Sequence, residues 1–143
     1  MFATGCATQR RVRTLRRVLY LDALVSAVVG LALAAAPAWV FETLLGQPRA
    51  ADYAVHRLAG VASLTLALLM VLVGHRVEGL WWWCWAFVVL EVGAAAVATL
   101  HAAFGLPVGA AAWPWWALGI GSWAFAGAFL WGIARAGAET PPP

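Results

Sequence analysis

The stretch from Leu80 to Phe104, LWWWCWAFVVLEVGAAAVATLHAAF, constrains this chain more than any other. It is 25 residues long, with Glu91 near its middle and His101 near its end. An apolar run of about 18 or more residues reads as a membrane-spanning helix, because about 20 residues cross a hydrocarbon layer of roughly 30 Å. A carboxylate at the centre of such a helix costs about 2.5–3.5 kcal/mol on insertion scales, so it is expected to face protein or a wet cavity. Spacing residues roughly 100° apart puts Cys84, Phe87, Ala94, Ala95, Ala98 and Ala102 on Glu91's side. Trp82, Trp85, Val89, Ala96 and Leu100 fall opposite. The small-residue face suits close helix approach, and the bulky face suits lipid.

Composition extends this to the whole chain. Of 143 residues, 64% are hydrophobic and 10% charged, with mean hydropathy +0.85, against about 25% charged in a soluble domain. The net charge of +3 does not point to nucleic acid, because of where the bases sit. Arg10, Arg11, Arg13, Arg16 and Arg17 directly precede the first apolar run, where basic residues set orientation and attract anionic lipid. All nine basic residues are Arg, and Lys and Asn are absent, a bias of GC-rich coding that points to a bacterial source. The expected location is the bacterial inner membrane. Cys6 and Cys84 make no disulfide framework, and both are expected as reduced thiols on the cytoplasmic side.

The expected fold is all-α, a transmembrane four-helix bundle with both termini cytoplasmic. Its spans are residues 18–36, 54–74, 80–104 and 113–134, after a basic segment 1–17 read as irregular or as a short surface helix. The first span resembles a signal peptide, but Asp22 interrupts its core and Pro37 would follow the cut, so it is read as a retained anchor. Pro37 should end that helix, since proline lacks the donor that continues the ladder. Residues 38–53 read as an amphipathic interfacial segment with a turn at Gly46 to Pro48. The polar turn 75–79 is short enough to force the second and third helices into a hairpin. Pro114 suits the first turn of the fourth helix. The tail 135–143, ending in Thr-Pro-Pro-Pro, is expected to be disordered.

Two patterns agree on orientation. With the N-terminus inside, Arg10, Arg11, Arg13, Arg16, Arg17, Arg76 and Arg135 lie inside and only Arg49 and Arg57 outside, as the positive-inside bias requires. Trp and Tyr also collect at both boundaries, leaving Trp123 alone near the midplane. Small residues at four-residue spacing predict the packing: Ser26, Gly30 and Ala34 on the first helix, Ala59, Ser63 and Ala67 on the second, Ala124, Ala128 and Gly132 on the fourth.

Polar groups inside the spans are the functional candidates. Glu91 could carry a proton, bind a cation, or bond a quinone or another subunit; the structural alternative is a protonated carboxyl bonded to a neighbouring Ser, Trp or backbone group. Asp22 lies about 7 Å into the first span, where Arg17, Arg76 or His75 could pair with it at the interface. His56, Arg57 and His101 share an outer layer: two histidines could ligate a haem axially, or His with Arg could hold a quinone or an anionic headgroup. The alternative is a set of interfacial residues bonded to carbonyls, water, Asp52 or Glu42. No Gly-rich phosphate loop, metal-spaced Cys/His cluster or Ser/His/Asp set is present, so neither a metal nor enzymatic activity is expected.

The run RRVLYLDALVSAVVGLAL, followed by LLGQP, the RLAGVASLTLAL helix and the Arg76 turn, resembles small bacterial four-helix membrane proteins of the DoxX-like size and layout. That resemblance implies an acid in the first helix, matched by Asp22, a polar residue in the third, matched by Glu91, and a role beside respiratory or redox partners. Two functions follow as expectations. One is a non-enzymatic accessory or assembly subunit, embedded in the lipid bilayer with other membrane-protein subunits or as a homo-oligomer. The other is a minimal proton-linked transporter or channel centred on Glu91.

Overall fold

The computed structural model describes residues 4–137, with side chains described over 13–136. Its helices are α1 (Thr4–Ala35), α2 (Ala54–His75), α3 (Val77–Leu80), α4 (Cys84–Leu100) and α5 (Trp113–Gly137), and no strand occurs among the described residues. Four stretches are long and apolar enough to cross a membrane: Arg13–Ala35, Ala54–His75, Val77–Gly105 and Trp113–Ala136. The protein is an all-α four-helix membrane bundle. Arg13, Arg16, Arg17, Arg76 and Arg135 lie toward one end of it, here the basic end. The connections 36–53 and 106–112 make the opposite, loop end.

The first helix begins at Thr4 instead of near residue 18. Gln, Arg, Leu and Val run from residue 9 to 21 without a breaker, and Leu15 and Leu19, one turn apart, are fully buried and hold the helix against its neighbours. Asp22 therefore sits well inside a continuous helix, on the same buried face as Leu15 and Leu19. The fourth helix continues through Gly137, so the start of the expected disordered tail is helical; residues 138–143, like 1–3, lie outside the described residues.

At the loop end the chain leaves α1 at Ala35, just before Pro37, and makes a π-helical turn over Trp39–Leu44. Gly46, with φ +62, supplies the left-handed residue that closes this turn. Gln47 then donates from Nε2 to the carbonyls of Leu45 (3.2 Å) and Ala111 (2.8 Å), tying the first loop to the residues that enter α5.

The link between the second and third spans is tighter than the five-residue turn read from the sequence. Only Arg76 breaks the helical path, with α3 following at once, a 3₁₀ turn over Trp81–Trp83, and then α4. A π-helical turn, His101–Gly105, completes this bent span.

Connectivity does not dictate the packing. α1 packs chiefly on α2 and α4 chiefly on α5, and α1 against α5 joins the two pairs, while the seam between α2 and α4 is open. The α1–α2 crossing rests on two glycines. A methyl group on Gly60 would stand 2.7 Å from the Gly30 carbonyl oxygen and 2.6 Å from the Ala34 nitrogen, both backbone atoms that cannot yield. Gly30 and Ala34 were in the expected small-residue row; Gly60 displaces Ala59, which is exposed. On α5 the buried stripe is Ser122, Ala126, Phe129 and Ile133, and Ala124 of the expected row faces outward.

The apolar core fills the basic half. Leu15 and Leu19 meet Met70 and Val73 of α2, Phe87 of α4 and Phe129 of α5, and the Phe87 and Phe129 rings stack at 6.1 Å. Above it all four spans expose large apolar side chains, as a lipid-facing wall requires. At the basic end Arg16 pairs with Glu78 and donates from Nε to the Gly74 carbonyl (3.1 Å), and Tyr20 Oη lies 3.0 Å from His75 Nδ1. Arg135 stacks over Trp131 at 4.6 Å.

Candidate functional site

Each buried stripe carries one polar residue just above the apolar core. On α1, Leu15 and Leu19 lead at helical spacing to Asp22 and then Ser26; on α4, Cys84 and Phe87 lead to Glu91; on α5, Phe129 and Ala126 lead back to Ser122. The three stripes converge, so these residues, with Ser63 of α2, line one cavity of about 330 Å³ walled by all four spans. Asp22 is 2% exposed and Glu91 8%. Ser26 donates to Asp22 Oδ1 at 3.4 Å, a long bond, and Asp22 Oδ2 is buried with no partner. Ser122 is the polar neighbour of Glu91. Ser63 spends its hydroxyl on the Ala59 carbonyl of its own helix (3.0 Å).

No basic side chain lines this cavity. The interfacial ion pair expected for Asp22 is thus replaced by a second carboxyl. Its expected partners are otherwise placed: Arg17 is exposed, His75 bonds Tyr20, and Arg76 lies with the turn at the basic end. Two carboxyls without a base, sharing a space of low dielectric constant, repel when both are charged, and an uncompensated buried charge is strongly destabilising. A proton, a cation or a donor from outside the bundle removes that conflict.

A second cavity of about 390 Å³ lies at the loop end, between the last turns of α1, the Trp39–Leu44 turn and the start of α5. Its walls are apolar, and Gln47 and Trp115 supply the polar atoms near it; Trp115 Nε1 is buried without a partner. Val29, Ala117 and Leu118 line both cavities. The two therefore adjoin along the α1–α5 seam, an apolar cavity beside an acidic one.

The outer-layer histidines do not assemble into a site. The His56 ring packs against Phe41 (4.4 Å between centroids) and Tyr53 (5.5 Å), and His101 packs against Trp115 at 4.3 Å. They belong to opposite helix pairs, no described contact joins them, and neither lines either cavity. Arg57 lines a shallow depression with Arg49, Asp52 and Tyr53, and Tyr53 also packs on the His56 ring. Beside it Tyr53 donates to Glu42 Oε1 (2.7 Å) and accepts from the Ala50 amide (3.2 Å). The bond to the Glu42 carboxylate holds the phenol above its ordinary value of 10.0. Among the described residues no three His, Cys, Asp or Glu side chains gather as metal ligands.

Sequence reasoning named Glu91 and Asp22 but not their meeting, and it listed Ser26 and Ser63 only as small packing residues. Ser122 was missed. Its signal was available: it lies four residues from Ala126 and seven from Phe129 on the face that α5 buries.

No protein-family model, curated protein or solved structure matches the chain.

Proposed function

We propose that this protein is a minimal proton-linked membrane transporter whose coupling site is the Asp22–Glu91 pair. The observation that carries the reading is the carboxyl pair itself: two acids and no base in one cavity to which every span contributes. Such a pair changes charge by taking up a proton or a cation, and all four helices feel the change. A standing pore does not suit the packing, because Leu15, Leu19, Met70 and Phe129 close the basic half. Access from that side requires the open α2–α4 seam to move, which fits a carrier rather than a channel. The positive-inside bias puts the basic end in the cytoplasm, and the composition suits a bacterial inner membrane.

The test is proton flux into liposomes that contain the purified protein and a trapped pH-sensitive dye. Asp22→Asn and Glu91→Gln each abolish the flux, whereas Ser63→Ala, whose hydroxyl bonds its own helix, retains it. Equal flux from wild type and both carboxamide variants would sink the reading.

A second reading, the accessory or assembly subunit, is favoured by the outward placement of Ala59 and Ala124, which leaves small residues for a partner helix. The DoxX-like layout would make that partner a redox protein. Mass analysis after gentle detergent extraction decides: a stable unlike subunit supports this reading, and a bare monomer or self-dimer removes it.

A further inference from the structure

The carrier reading leaves its cargo open, and the two abutting cavities narrow it. Asp22 Oδ2 is an acceptor at membrane depth, almost wholly buried, with no donor in reach. A charged or donor-bearing group placed there gains what the protein withholds, a charge-assisted bond in a low-dielectric site. The space next to it is not polar. Beyond Val29, Ala117 and Leu118 the walls become those of the loop-end chamber, built from aliphatic side chains of α1, the Trp39–Leu44 turn and α5. From Asp22 to Leu33 the path along α1 is eleven residues, about 16 Å. A ligand that fills it has one cationic end and one long apolar end.

We infer that the joined cavities bind a lipophilic amine, with its ammonium at Asp22 and Glu91 and its hydrocarbon body in the loop-end chamber. The chemistry selects against the alternatives. A fatty acid would bring a third negative charge to the pair. An aliphatic alcohol offers one neutral donor, and a plain hydrocarbon leaves the carboxyls unsatisfied. An ammonium brings three donors and the compensating charge. Its desolvation, costly in a bare bilayer, is offset at the carboxyls. The amine comes sideways from the leaflet at the loop end, because the basic half is closed by packed side chains. Proton and amine then compete for one acidic site, which couples their movements without a second binding centre.

The inference rests on the carboxyl pair being the working site, and its test reads binding separately from flux. The probe is dodecylamine carrying a terminal diazirine, photoactivated on the whole protein in lipid nanodiscs, with adducts located by peptide mass analysis. The dodecanol and dodecanoic acid analogues partition into the same lipid and serve as controls. Amine adducts are expected on residues 28–33 and 113–118, about tenfold above either control, the size of one charge-assisted contact. Asp22→Asn with Glu91→Gln erases that excess while the helical circular dichroism stays unchanged. Ala117→Trp, which leaves both acids and narrows the passage, erases it as well.

Equal labelling by amine and alcohol, or an amine excess that survives the double carboxamide variant, overturns the inference. Proton flux without an amine excess removes the cargo and leaves the carrier standing. An amine excess without flux supports the amine site and removes the carrier.

Discussion

The two halves of α1 show how one apolar helix can be used in opposite ways. Toward the basic end Leu15, Leu19 and Ala23 are buried among residues of α2, α4 and α5. Toward the loop end Val28, Leu31 and Val29 are exposed or line a cavity, and the same helix that was a core element becomes a wall. Hydropathy does not separate these halves, since both are runs of Leu, Val and Ala. The difference lies in the neighbours. Phe87, Met70 and Phe129 fill the space at one end, while at the other the chain turns away into the Trp39–Leu44 turn and α5 starts with Trp-Pro-Trp-Trp. In lipid no water-driven force closes a gap between helices, so a seam is closed only where side chains fit. The packed half gives the bundle its rigidity and the hollow half gives it a place for something else.

The sharpest attack on this contrast is at the α1–α2 crossing, which, like the Gly119 contact of α5 with α4, stays tight toward the loop end. Gly60→Leu puts a side chain into the backbone of Gly30 and Ala34, and the expected result is a cost of about 3 kcal/mol or more, with loss of the monodisperse folded protein on extraction. Smaller, and more diagnostic, is a matched pair of truncations followed by reversible unfolding in mixed micelles. Phe129→Ala in the packed half should cost about 1–3 kcal/mol, the packing share alone, because transfer to lipid contributes little. Val29→Ala beside the cavity should cost less than about 0.5 kcal/mol, for want of contacts to lose. Similar values for the two would dissolve the distinction between the halves.

Weaker again is Arg16→Ala, which removes the pair with Glu78. Both side chains are partly exposed, so the loss should stay within about 1 kcal/mol and shrink as salt is added. The smallest effect is a titration. With Tyr20→Phe to remove the other phenol, ultraviolet absorbance should place Tyr53's midpoint above 10.0, and Glu42→Gln should bring it back. Because the folded phenol is raised above its unfolded value, any stability it contributes is present below pH 10 and fades as the pH climbs through the folded midpoint.

Much of the fold was legible from residues alone. The four apolar runs, the helix end next to Pro37 and the two faces of α4 follow from length, proline chemistry and helical phase. The bulky side chains Trp82, Trp85, Val89 and Leu100 are exposed, while Cys84, Phe87, Ala95 and Ala98 are buried around Glu91. What was not legible depends on which helix touches which. Arg10 to Arg17 read as a charged flank, yet Leu15 within it is a core residue, and with Leu19 it turns the face that carries Asp22 into the bundle. Without that inward facing its natural partner looked like a nearby arginine instead of Glu91, sixty-nine positions along the chain. The surroundings of the histidines were hidden for a related reason: a shared layer says nothing about azimuth, and Phe41 flanks His56 while Trp115 flanks His101.

The unbroken helix from Leu15 to Ser26 has a mechanical corollary. Leu15 and Asp22 are seven residues apart, almost two whole turns, so the leucine's seat in the packed half sets the compass bearing of the acid like a key in a lock barrel. Deleting any one residue from 16 to 21 would swing the carboxyl by roughly 100° while every side chain at the site stayed in the sequence. Carboxyl pair and core would then be unable to form together, and the chain would have to give up either the seat of Leu15 or the meeting of Asp22 with Glu91.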